Sequence, residues 1–149
     1  MPSFYTEIEI DAPRSAVWQV LICKQEWLKW NTFLYDLNPD QSFAQGREVW
    51  LSLRRVAGDE ETEIKPRITL LQPEICLQWR YTAPGFKSEH RFELQDIGSD
   101  RTKYIHQETV SGALSRFFLP FIRREEQQGL KRMAWELKRY VELSGRRWR

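Results

Sequence analysis

Between Thr102 and Gly112 the chain reads TKYIHQETVSG, and in an extended conformation successive side chains point to opposite faces. Tyr104, His106, Glu108 and Val110 then share one face. An imidazole beside a carboxylate is a pair that moves protons, acting as the base for an acidic carbon, with hydroxyl donors available to a developing enolate. The same pair can orient the polar group of a ligand. Turned into an apolar interior, such groups are costly unless they have a partner or a task. A second reading stands beside this one, in which His106 and Glu108 lie on a wet sheet face and Ile105 points inward. The other histidine, His90, sits on the preceding extended segment. His90, His106 and Glu108 lack the closely spaced ligand pairs that set up zinc geometry. The chain also has no glycine-rich phosphate loop, no GxSxG and no clustered Cys/His set. The expectation is no metal and no cofactor. If there is catalysis, it is general acid/base chemistry by His106 and Glu108.

The elements that must position these residues follow from pattern. Phe4 to Ile10 alternates as a strand and stops at AspAlaPro, where Asp11 can cap a helix and Pro13 fits its first turn. Ala16, Val17, Val20 and Leu21 have helical spacing, and a second short helical piece runs from Gln25 to Trp30 with Trp27 and Trp30 on one face. Extended segments are expected at Arg47 to Val56, Glu61 to Leu71, Ile75 to Thr82, Lys87 to Ile97 and Arg101 to Ser111. Turn chemistry at Ala57, Gln72, Ala83 and Gly98 separates them, so the middle of the chain reads as an antiparallel meander curving into a sheet. Leu130, Met133, Ala134, Leu137 and Val141 recur at three and four, which predicts a long amphipathic helix from Ile122 to Leu143 ended by Gly145. An apolar stripe of that length must lie on the sheet.

Period two assigns the inner face. Leu51 and Leu53, then Ile64, Pro66, Ile68 and Leu70, then Leu77, Trp79 and Tyr81, then His90, Phe92 and Leu94 point toward the helix, together with Tyr104, His106, Glu108 and Val110. The residues expected to bind a ligand are Leu51, Leu53, Ile68, Trp79, Tyr81, His90, Phe92, Tyr104, His106, Glu108, Gly129, Leu130, Met133 and Leu137. Gly129 interrupts the helical stripe, either to make room for a ligand or strand or as a tolerated irregularity. Phe117, Phe118 and Phe121, beside Pro120, read as a lid, a cavity mouth or a contact surface.

Composition bounds the partners. In 149 residues, 23 Lys and Arg stand against 21 Asp and Glu, and a formal charge of +2 gives no reason to expect nucleic acid or an anionic membrane as an obligate partner. Seven Trp suit a ligand cavity as well as a core. Cys23 and Cys76 form no CxxC, no apolar run approaches the ~20 residues of a membrane span, and the N-terminus lacks a signal-peptide layout. A cytoplasmic location follows as the expectation, with residues 1–145 as one domain and 146–149 as a basic tail. No feature fixes an oligomeric state.

The element order, with IDAPRSAVWQVL (Ile10 to Leu21), WLKWN from Trp27, PRI at Pro66, CLQWR from Cys76, HRFEL from His90 and HQETVSG ending at Gly112, resembles the START-like (SRPBCC, Bet v 1-like) superfamily. Within it, the resemblance is to the polyketide cyclase/dehydrase and lipid-transport group. It implies an α+β helix-grip fold: a curved antiparallel sheet wrapped around a long C-terminal helix, with two short helices after the first strand and a cavity between sheet and helix. The reading of function is binding of a mostly apolar small molecule (lipid, polyketide, isoprenoid or aromatic metabolite). The alternatives are a cofactor-free polyketide cyclase/dehydratase using His106 and Glu108, and a partner-binding regulatory protein.

Overall fold

The computed structural model describes residues 3–55 and 61–144. Strand β1 (Phe4–Ile10) leads through α1 (Arg14–Ile22) and a 3-10 helix (Lys24–Lys29) into β2 (Leu34–Asp36), β3 (Leu51–Leu53) and β4 (Thr62–Ile64). There follow β5 (Arg67–Gln72), β6 (Cys76–Ala83), β7 (Phe86–Gly98), β8 (Arg101–Ser111) and α2 (Ser115–Ser144). All pairings are antiparallel, in a five-stranded sheet of order β1-β8-β7-β6-β5 and a three-stranded sheet of order β2-β3-β4. Backbone bonds from Gly46 and Val49 to the carbonyls of Ile68 and Pro66 carry the chain from the edge of the large sheet into the small one. This α+β arrangement, a curved antiparallel sheet closed on a long C-terminal helix, is the helix-grip fold.

The grip has identifiable side chains. The edge strand β1 would leave a row of backbone groups unpaired, a template for unwanted pairing. Residues of α2 cover it: Gln127 accepts from Tyr5 N and donates to Tyr5 O, Lys138 donates to Glu9 O, and Glu142 accepts from Asp11 N. On the other side Arg132 donates to the Arg54 and Arg55 carbonyls, and Glu136 accepts from Thr32 N. The stripe Leu130, Met133, Ala134, Leu137 and Val141 is buried beneath.

Several expectations need correction. The long helix begins at Ser115, not Ile122, and runs through Pro120. Gly112, at φ 109°, lies so close to the β6–β7 turn that an added Cβ would sit 2.6 Å from Gly85 O, and Leu114 N donates to that same carbonyl. This contact anchors the helix start early, and the lost N–H of Pro120 falls where Arg116, Phe117 and Phe121 are exposed to water. Phe117, Phe118 and Phe121 are therefore exposed residues of this helix. The segment expected from Glu61 to Leu71 is two strands in different sheets, broken at Lys65 and Pro66. A register shift between Ile68 and Leu70 sets Leu70 opposite Gln78 and Leu71 opposite Leu77, so Leu71, not Leu70, packs on the core. Among the described residues of the Arg47 to Val56 segment, only Leu51–Leu53 is strand, and Pro13 rather than Asp11 stands at the start of α1. The Ala57 turn, Gly145 and the basic tail lie outside the described residues.

Candidate functional site

Cross-strand register assembles the site. In the β7–β8 pair His90 lies opposite Glu108, Phe92 opposite His106 and Ser88 opposite Val110, while β6 sets Trp79 opposite His90. Side chains directly opposite on one face are neighbours, and diagonal ones remain within reach. Accordingly His90 Nε2 is 3.3 Å from Glu108 Oε2, His90 Nδ1 is 2.8 Å from His106 Nε2, and Ser88 Oγ donates to Glu108 Oε2 at 2.7 Å. From the helix side Glu126 closes the cluster, with Arg55 Nε 3.2 Å from its Oε1. His90, Glu108 and Glu126 each bring a ligand atom to within 4.8 Å of the other two, so these are the residues able to hold a cation.

Ser88, His90, His106, Glu108 and Glu126 are all buried. Burial, reinforced by the His90 ring, holds His106 well below the ordinary histidine value, so its ring is neutral. Burial also opposes the charge of Glu108, but His90, then hydrogen bonds from Glu126 and Ser88, outweigh it and keep Glu108 below the usual carboxylate range. Glu126 goes the other way, raised first by burial and then by the Glu108 charge despite Arg55. Burial pushes the Tyr104 phenol up, so it keeps its proton. Several polar atoms are unsatisfied among the described residues: Tyr104 OH, His106 Nδ1, Trp79 Nε1 and Glu108 Oε1 have no hydrogen-bond partner, whereas Glu126 Oε1 has Arg55. Buried polar atoms are rarely left so.

Chemically, the cluster is a relay. Where the Glu108 carboxylate accepts from His90 Nε2–H, the bare His90 Nδ1 accepts from His106 Nε2–H, and His106 Nδ1 is left as a free lone pair. That lone pair can accept a hydrogen bond or take a proton.

Next to the cluster the interior around Trp79 is apolar, whereas Lys24, Asn31 and Ser52 are polar residues buried elsewhere. Trp79 has ring neighbours in Phe92 (4.8 Å), His90 (5.5 Å), Phe43 (5.9 Å) and Trp27 (6.5 Å). Leu51, Leu53, Ile68, Trp79, Phe92, Tyr104, Leu130, Met133 and Leu137 are buried in one continuous core, while Tyr81 is half-buried against Phe86. Gly129 makes room for a side chain of the protein itself rather than for a ligand or strand: an added Cβ would lie 2.4 Å from the ring of Phe33. A surface groove lined by Trp135, Lys138, Arg139, Glu142 and Leu143 lies on the outer side of α2, apart from this interior. Sequence reasoning missed Glu126. Its signal was present, since 126 stands four residues before Leu130 and seven before Met133, in phase with the buried stripe. Arg55 carries no comparable signal, because its position depends on how the β3–β4 connection folds back.

No helix among the described residues is long and apolar enough to cross a membrane. The curated proteins contain no match to this chain. Solved structures of similar shape include the ZhuI aromatase/cyclase from Streptomyces sp. R1128, 19% identical with a TM-score of 0.70 over 97% of this chain and 94% of that one. A START superfamily protein from Mycobacterium smegmatis is 16% identical, with a TM-score of 0.69 over 93% and 96% of the two chains. DynU16, from the dynemicin biosynthetic locus, is 16% identical with a TM-score of 0.66, and this chain, matched over 93% of its length, spans 46% of it. At such identities these likenesses speak for the fold. Residues 1–147 match the family described as polyketide cyclase/dehydrase and lipid transport, and the chain belongs to that START-like family.

Proposed function

We propose that this protein binds a mostly apolar small molecule bearing one polar group, between the sheet and α2. The polar group meets Tyr104, His106 and the Glu108–Glu126 pair, and the hydrocarbon lies toward Phe92, Met133 and Leu137. One observation carries the reading: polar atoms deep in an apolar interior, among them Tyr104 OH and His106 Nδ1, have no partner among the described residues. Leaving such a group unpaired costs about 1–3 kcal/mol, a cost that a ligand hydroxyl or carbonyl removes. Lipids, polyketides, isoprenoids and aromatic metabolites all have this chemistry, and a cytoplasmic location suits it.

The test is a fluorescence titration with naphthalene and 1-naphthol. Both should bind saturably, with naphthol tighter by about the worth of one hydrogen bond, ~0.5–1.5 kcal/mol. Tyr104→Phe should erase most of that preference. Failure of both probes to bind saturably, or a preference untouched by Tyr104→Phe, overturns the reading.

The Glu108–His90–His106 relay favours a second reading, cyclisation or dehydration of an activated polyketide-like substrate with His106 Nδ1 as base. Turnover of such a substrate should then fall about a hundredfold or more in His106→Gln while binding persists. Unchanged turnover leaves the binding function alone.

A further inference from the structure

We infer that His90 Nε2, with one carboxylate oxygen each from Glu108 and Glu126, forms a site for a single divalent transition-metal ion of the zinc type, enclosed by β7, β8 and α2. This goes beyond the ligand-binding reading and stands without it. Zinc bonds to nitrogen and carboxylate oxygen are about 2.0–2.2 Å, so two ligands of one tetrahedral ion lie about 3.4 Å apart. His90 Nε2 and Glu108 Oε2 are 3.3 Å apart, and the three ligand atoms all lie within 4.8 Å of one another. Small side-chain movements bring Glu126 to the same distance.

The surroundings are those of a metal site as well. A ligating histidine usually donates its other N–H to a neighbouring acceptor, and ligating carboxylates are themselves hydrogen-bonded. His90 Nδ1 lies 2.8 Å from His106 Nε2, and Ser88 Oγ donates to Glu108 Oε2. With an ion on His90 Nε2, His90 Nδ1–H donates to His106, the reverse of the metal-free relay. The second, independent observation is that Glu108 Oε1, on a side chain 3% exposed, has no hydrogen-bond partner among the described residues. Arg55, 28% exposed at its side chain, lies 3.2 Å from Glu126 Oε1. With two carboxylates and Arg55 around it, a divalent ion leaves one positive charge. An anionic ligand group in the fourth position would neutralise it. The imidazole in the donor set selects zinc or cobalt over magnesium or calcium, which favour all-oxygen sites.

The experiment is equilibrium dialysis of the untagged, chelator-stripped chain against Zn²⁺, with the visible absorption of Co²⁺ as a second readout. One ion per chain is expected. Glu126→Gln and His90→Gln, checked for folding by circular dichroism, should each lose about a hundredfold or more in affinity, and Ser88→Ala about tenfold, as outer partners do. No saturable binding to the wild-type chain, or an unchanged affinity in Glu126→Gln, overturns the site. Should both ligand variants fail to fold, an unchanged affinity in Ser88→Ala overturns it equally.

Discussion

The two ends of the interior are built on opposite principles. At one, Trp27, Phe43, Trp79 and Phe92 meet ring to ring, and the Trp27 indole N–H donates to Leu21 O at 3.0 Å. That end is packed by the chain's own rings, and only at its border with the polar end does the Trp79 indole N–H lack a partner among the described residues. At the other, Ser88, His90, Tyr104, His106, Glu108 and Glu126 are just as deeply buried, yet four polar atoms there or at its border have no partner among the described residues. Trp79 joins the two, its ring in the aromatic stack and against His90. The difference separates stability from function. Packed aromatics gain from burial directly, whereas unsatisfied polar groups cost stability and are retained where something else completes them.

Substitutions on either side can break or sharpen that division. The largest effect belongs to the aromatic end: Trp79→Ala should cost about 3–5 kcal/mol in chemical denaturation. A cost under 1 kcal/mol would mean that Trp79 lines open space. Next is Gly129→Ala, whose new methyl meets the buried Phe33 ring and should cost about 1–3 kcal/mol. Phe33→Leu in the same chain should recover part of the loss, and absence of any recovery would place the strain elsewhere.

The polar end should behave with the opposite sign. Tyr104→Phe removes a buried hydroxyl without a partner and should raise stability by about 1 kcal/mol, while weakening the binding of a hydroxylated probe. A clear loss of stability would show that the hydroxyl is already satisfied. Smallest of all, Glu126→Gln keeps the shape of a side chain that burial already favours as the neutral acid, and should change stability by less than about 1 kcal/mol. A loss above 3 kcal/mol would make the cluster part of the scaffold.

Much of this division was legible in the residues themselves. Period two on β6, β7 and β8 put Trp79, Phe92, His90, His106 and Glu108 on the inner face, because the strands are long and pair without a break up to Asp96, the shift between Asp96 and Gly98 falling at the turn. Where the register slips, at the shift between Ile68 and Leu70, the pattern misassigned Leu70. The start of α2 was hidden for a different reason. Pro120 reads locally as a break, and only the tertiary contact of Gly112 with Gly85 carries the helix back to Ser115. Gly129 told of a close approach without naming its occupant, since Phe33 is nearly a hundred residues away in sequence. Glu126 was visible as an acid in phase with an apolar stripe, but its meeting with Glu108 is a fact of docking the helix on the sheet.

The central claim, that a ligand enters between sheet and helix, can be tested at one atom group. The chain has two methionines, Met1 and Met133, and Met133 is fully buried on the inner stripe of α2. Protein labelled with ¹³C at the methionine methyls therefore carries two resonances, and the one lost in Met133→Leu reports from the inner stripe. Titration with 1-naphthol should shift that resonance and saturate at one probe per chain, with the same midpoint as the fluorescence change. Saturable binding that leaves the Met133 methyl unmoved would place the ligand elsewhere and contradict the account.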